Sequence, residues 1–245
     1  EVLACLYDQA PFAHLYAHEE TGNGLTFQRD LAVARWCRAH GIGWHETPQF
    51  GVVRRLQARD HWQRRWDEFM AQARVAAPEV VRSIALPWAE PPPPSADALG
   101  LPEPEVPSRQ LGGRQAGLQI LHEFLVDRSN QYRGGISSPL SAPTACSRLS
   151  PYLALGCLSL REVVQTTRLF AAQLPASASQ QRAGLQAFIS RLYWHCHFIQ
   201  KLESEPALEF RNLHRGYDGM RENDWNPAQF SALTAGRTGW PLVDA

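Results

Sequence analysis

The stretch CSRLSPYLALGCLSLRE, Cys146 to Glu162, sets a serine, an arginine and a second serine directly before a proline that opens an apolar segment. Ser150 before Pro151 predicts a helix start, a hydroxyl cap followed by a residue whose missing N–H costs nothing at that position. Gly156 is expected to stop this short helix. Ser159 and Glu162 then have the S-x-x-E spacing of a capping box for the next one. Two readings follow. In one, these are caps alone, worth ~1 kcal/mol each, with Arg148 paired to a surface carboxylate. In the other, helix-start N–H groups, the hydroxyls of Ser147 and Ser150 and the Arg148 guanidinium hold a phosphate or pyrophosphate. The spacing leaves both open.

The rest of the chain bounds the problem. Its 245 residues allow one large domain or two small ones. With 24 basic and 24 acidic residues, nothing marks the whole chain as a polyanion binder, although a local basic groove is compatible with that balance. Arginine supplies nearly all the positive charge, Lys201 being the only lysine. The five cysteines are odd in number and form no C-x-x-C pair, so neither a disulfide framework nor a zinc site is expected. Reduced thiols, no signal peptide and no apolar run near the ~20 residues that span a bilayer together predict a cytoplasmic chain without membrane segments.

Proline divides the sequence. Eight of its 18 prolines fall between Pro87 and Pro107, and residues 76–108 read as a stiff linker. Before it, residues 1–75 read as α/β. Phe12 to His18 alternates in part and suits a strand. Thr26 is a candidate cap for a helix from Phe27 to about His40, with Gly41 as its stop. Trp62, Trp66 and Phe69 have the spacing of a core-facing helix. After the linker, residues 109–245 read as helical throughout. Leu118, Leu121 and Leu125 form a stripe, a long helix runs from Ala183 to about Leu202, and Asn226 before Pro227 predicts a further start that ends at Gly236. The fold class is therefore an α/β piece followed by an all-α domain, mostly helical.

Four stretches in order carry a resemblance: GGRQAGLQILHEFL (from Gly112), CSRLSPYLALGCLS, the helix containing RLYWHCHF (from Arg191), and WNPAQFSALTAGRTGWPLVDA (from Trp225). They resemble the photolyase/cryptochrome family. The likeness covers roughly Gly112 to Ala245, and the α/β piece and linker resemble the end of that family's antenna domain and its connector. The resemblance implies a fragment lacking the start of the antenna domain and the end of the FAD domain. It implies FAD as cofactor, with Tyr132, Cys146, Ser147, Arg148, Leu149 and Ser150 around its phosphates and ribityl chain. Cys146 stands where the family usually has threonine. A second antenna chromophore of unspecified identity is also implied. The expected partner is DNA carrying pyrimidine photoproducts, and the chain is expected to be monomeric.

Arg191, Trp194, His195 and Phe198 fall at i, i+3, i+4 and i+7 and are expected to share one face, opposite a core stripe of Leu185, Leu192, Cys196 and Ile199. A solvated face with one aromatic is the plain alternative. His195 and His197 flank a cysteine, but neighbours two apart on a helix diverge, so no metal site is expected. The resemblance makes Trp194, His195 and Arg191 the candidate catalytic residues, with Trp194 stacking on a flipped-out lesion. In DNA-repairing relatives a glutamate stands where this chain has Arg191, and an arginine where it has His195. An arginine only donates hydrogen bonds and carries the opposite charge. The implied function is FAD-dependent, light-driven repair of pyrimidine photoproducts in DNA. The alternative is a cryptochrome-like blue-light sensor without repair activity.

Overall fold

Strand β1 (His14–His18) forms where the partial alternation predicted it and pairs in parallel with β2 (Gly43–Thr47), in register from His14 opposite Gly43 to His18 opposite Thr47. The computed structural model describes residues 2–83, 94–101 and 109–244, so most of the expected proline-rich linker lies outside the described residues. Helix α1 (Val2–Gln9) precedes the strands, and α2 (Gly24–Ala39) connects them. The cap of α2 is Asn23 rather than Thr26. The Asn23 side chain accepts from Thr26 N at 3.1 Å, while the Thr26 hydroxyl donates back to the Asn23 carbonyl. Both residue types cap well, and the one further upstream starts the helix. Gly41, at φ +69°, ends this turn as expected.

This α/β unit is thinly packed. Cys37 and Ile42 are buried within it but lie outside the main apolar cluster. That cluster is built by α3 (Trp62–Ala71), α4 (Arg114–Glu123), α5 (Ser129–Gly135), α7 (Ser150–Ala154), α8 (Leu160–Gln173) and α9 (Ser179–Ser204) with their connections, while α6 (Ala142–Ala145) contributes no member to it. Trp62 and Trp66, one turn apart on α3, both pack on Tyr193 of α9, at ring separations of 4.9 and 5.4 Å. Phe124, Tyr132 and Phe188 form an edge-to-face trio at 4.6–5.7 Å.

The stripe expected through Leu118 is shifted. A π turn over Phe124–Arg128 inserts an extra residue between α4 and α5 and re-phases the helix. Phe124 and Leu125 become buried with Leu121, and Leu118 faces out at 39% exposure. Carbonyls released by the π turn find side-chain partners, one on α9 and one local. Gln181 Nε2 donates to Leu125 O at 2.8 Å and Val126 O at 3.1 Å, and the Ser129 hydroxyl donates to Leu125 O.

The capping box at α8 is half formed. Ser159 Oγ accepts from Glu162 N at 3.0 Å, but the Glu162 carboxylate does not reach back. It takes Arg114 in a two-point pair, at 2.7 and 2.9 Å, and Arg74 at 3.2 Å. The Arg114 contact above all holds its pKa below the ordinary value, against the opposing effect of burial. A carboxylate depressed on folding stabilises above its unfolded pKa of about 4.3 and loses that contribution as pH falls through the folded value. Acid titration of the unfolding midpoint is therefore expected to show a loss below about pH 4.3 that Glu162→Gln flattens. An unchanged acid limb in that variant would contradict it.

Beyond α9 the chain runs over the surface. Asn226 caps α10 (Pro227–Thr234) by accepting from Ala228 N and Gln229 N, and Gly236 follows at φ +61°. The Asp244 carboxylate closes the segment into α11 (Pro241–Asp244), accepting from the Thr238 hydroxyl at 2.6 Å and from Thr238 N and Gly239 N. Trp225 and Trp240 remain 65% and 72% exposed. No helix among the described residues is long and apolar enough to cross a membrane.

Candidate functional site

The expected hydroxyl cap at Ser150 is not made. Ser150 is the first residue of α7, the cap position is Leu149, and neither side chain caps the helix. At five residues, α7 is also too short for a helix dipole to matter much. What the segment offers instead is its backbone. Arg148 takes a left-handed φ of +61°, and Leu149 follows at φ −95°, ψ −9°. This alternation turns successive N–H groups toward a common concavity, an anion nest. Carbonyls are tied away from it: Arg128 Nη2 donates to Ser147 O at 3.3 Å, and Gln110 Nε2 to Arg148 O at 2.9 Å. The N–H groups of Ser147, Arg148, Leu149 and Ser150 donate to no acceptor among the described residues.

Side chains complete the picture. Leu149 is 1% exposed and anchors the loop in the core. Arg148 is exposed and forms no ion pair among the described residues, so the surface-carboxylate reading finds no support. Cys146 and Ser147 are half-buried, and Ser150 is exposed. Tyr132 is buried between Phe124 and Phe188, and its hydroxyl forms no hydrogen bond among the described residues. Burial foremost, with the neighbouring Cys146 thiol, pushes the Tyr132 phenol up to about 12, opposed by the positive charge of Arg191. Tyr132 is thus a protonated donor throughout the neutral range. Arg128, which the sequence reading did not single out, underlies the loop, and its Nε is buried without a partner. No signal pointed to it, since the π turn alone brings it beneath Ser147.

On α9 the predicted face is divided. Trp194 and Phe198 are exposed, edge to face at 6.1 Å, and the Arg191 guanidinium lies over the Trp194 ring at 4.7 Å. His195 leaves this group. It packs edge-on against Phe50 at 5.1 Å, and burial lowers its pKa, favouring the neutral ring. His197 accepts from Arg59 Nη2 at 2.9 Å beside Trp62. The opposite stripe packs as expected, with Leu185, Leu192 and Cys196 buried and Ile199 partly so. No group of three or more potential metal ligands occurs among the described residues.

Residues 188–245, which include Arg191, Trp194 and His195, match the model of the FAD binding domain of DNA photolyase. The chain is a partial-length homologue of the photolyase/cryptochrome family. It is 33% identical to the deoxyribodipyrimidine photo-lyase of Halobacterium salinarum over 155 residues, 62% of this chain and 31% of that protein. It is 30% identical to the cryptochrome DASH of Gloeobacter violaceus over 155 residues, 60% of this chain and 29% of that one. A bacterial class III photolyase from Agrobacterium tumefaciens shares the fold at TM-score 0.72 and 20% identity, over 99% of this chain and 51% of that one. The chain thus spans about a third of the length of these curated relatives. With four unpaired N–H groups and the hydroxyls of Ser147 and Ser150 at hand, the loop suits a ligand that brings acceptor oxygens.

Proposed function

We propose that the chain belongs to a FAD-dependent, light-driven protein of the photolyase kind, acting on pyrimidine photoproducts in DNA. The observation that carries this reading is the run of four unpaired N–H groups at Ser147 to Ser150, in a chain whose α9 presents an exposed tryptophan beneath a guanidinium. When bound and reduced, FAD supplies an electron on excitation by light. The chain's own residues do the rest. The nest and Tyr132 hold the pyrophosphate, Trp194 offers its free face to an extruded base, and His195, packed apart against Phe50, keeps a neutral ring able to accept a proton. The second reading, a blue-light sensor without repair, is favoured by Arg191, which stands where the resemblance places a glutamate in repairing relatives.

An absorption spectrum of the full-length protein before and after blue light tests the flavin assignment. Bands that bleach support it, and a featureless spectrum with no uptake of added FAD defeats it. Damaged-DNA binding then separates repair from sensing. The nest itself is tested at Arg148. Its left-handed backbone costs a β-branched residue about 1–3 kcal/mol and glycine nothing. Arg148→Val is therefore expected to lose flavin affinity by about tenfold or more, while Arg148→Gly keeps it. Release by the glycine variant would mean that the guanidinium holds the phosphate, and not the backbone.

A further inference from the structure

A cleft of about 780 Å³ is lined both by the α/β unit and by the helical bundle, and no described residue from Cys146 to Ser150 takes part in it. From the α/β unit come His18, at the end of β1, and Pro48 after β2. From the bundle come Arg114 of α4 and the start of α8, with Ser159, Arg161 and Glu162. Phe69 and the chain from Arg74 to Ala77 line the rest. Three guanidiniums thus meet one carboxylate. Glu162 is committed to Arg114 at two points and to Arg74 at one. Arg161 reaches no carboxylate among the described residues. It is half-buried, with its guanidinium over the Phe69 ring at 4.2 Å and only neutral acceptors in range, Gln72 Oε1 at 3.2 Å and Ala73 O at 3.5 Å. Its Nε is buried without a partner. A partly desolvated cation held in place with no counter-charge is uncompensated until an anion joins it. Arg74 uses a single nitrogen on Glu162 and keeps the other donors of its fork. The Ser159 hydroxyl accepts from Glu162 N, and its own proton has no acceptor among the described residues.

We propose that this cleft is a second ligand site, for a small phosphate monoester whose phosphoryl group lies among Arg161, Arg74 and Ser159 and whose organic body lies along Pro48, Val75 and Ala77. Charge selects the class. Three guanidiniums and one carboxylate leave two positive charges, and a phosphate monoester carries about −1.5 to −2 near pH 7. A diester of a nucleic-acid backbone brings one negative charge per phosphate and matches half of that. Size agrees, since the cleft falls within the roughly 300–1,000 Å³ of small-molecule sites and exceeds what a bare phosphate fills. Val75 stands 93% exposed at this site, an apolar side chain that an organic body would cover. The site goes beyond the flavin reading and does not rest on it, because the nest and the cleft share no residue.

Phenyl phosphate is the probe, with inorganic phosphate and phenol as controls, titrated calorimetrically into the full-length protein with and without saturating FAD. Phenyl phosphate is expected to bind saturably in both cases, more tightly than phosphate, and phenol not at all. Arg161→Gln and Arg74→Gln should each weaken it by about tenfold or more, the loss of a charge-assisted contact. Arg64→Gln, exposed on α3 outside the cleft, should leave it unchanged. Circular dichroism checks the fold of each variant. Arg74, 51% exposed, keeps the test decisive should Arg161→Gln fail to fold. Absence of saturable binding overturns the proposal, as does binding that neither arginine variant alters. Loss of binding under saturating FAD would place the probe in the nest, and displacement by duplex DNA at equal phosphate would make the cleft a backbone contact. Either outcome overturns it too. A protein that takes up no flavin yet binds phenyl phosphate through Arg161 and Arg74 keeps the cleft assignment while the flavin reading falls.

Discussion

Gly184→Ala is expected to destabilise the protein by about 3 kcal/mol or more, the upper range for overpacking. Gly184 lies where α9 crosses α5, and a Cβ added there would overlap the carbonyl oxygen of Ser129, with Tyr132 Cβ 3.6 Å away. The clash is with backbone, so no side-chain rotamer relieves it, and the two helices must separate. Separation strains the Gln181 bonds to Leu125 O and Val126 O and opens the Phe124–Tyr132–Phe188 trio. At roughly 2–4 °C per kcal/mol for a chain of this size, thermal unfolding should fall by about 6 °C or more. Gln186→Ala, exposed on the same helix, should stay within about 0.5 kcal/mol of the unmodified protein. The same substitution reaches the site, because Gly184 sets the distance between the helix that carries Tyr132 and the helix that carries Arg191 and Trp194. Flavin affinity should fall with stability. An unshifted midpoint would mean that α5 and α9 do not approach this closely.

Local chemistry was legible in the sequence, and long-range placement was not. Asn226 before Pro227 and Ser159 before Leu160 announce helix starts because a cap acts within three residues of itself. The Asn23 and Thr26 pair shows the limit, since two good caps three apart cannot be ranked without the tertiary direction of the chain. The π turn was invisible to a period of 3.6, so Leu118 was expected in the core and Phe124 was not. At the site, the loop from Cys146 to Ser150 and Trp194 stand out by residue type. Their support does not. Arg128 reaches Ser147 only through the π turn, and His195 is turned aside by Phe50, a loop residue far away in sequence. Glu162 had the spacing of a capping box, yet two arginines from other segments outcompete a reach-back to one backbone N–H. A charge-assisted two-point pair is worth more than that single bond.

Trp194→Ala is expected to weaken binding of photoproduct-containing DNA by the worth of one base–aromatic stack, about 1–3 kcal/mol, or roughly 5- to 150-fold. The fold should tolerate it, since Trp194 is already 46% exposed and its ring contacts are with Phe198 and the Arg191 guanidinium. Trp194→Phe keeps a π face and should retain most of the affinity. His195, turned aside against Phe50 and kept neutral by burial, adds no charge to this platform near pH 7. The loss from Trp194→Ala should accordingly be insensitive to salt, as a stack neutralises no phosphate. If Trp194→Ala leaves DNA binding unchanged while the flavin still bleaches under blue light, the exposed indole is not a base platform, and the sensor reading takes its place.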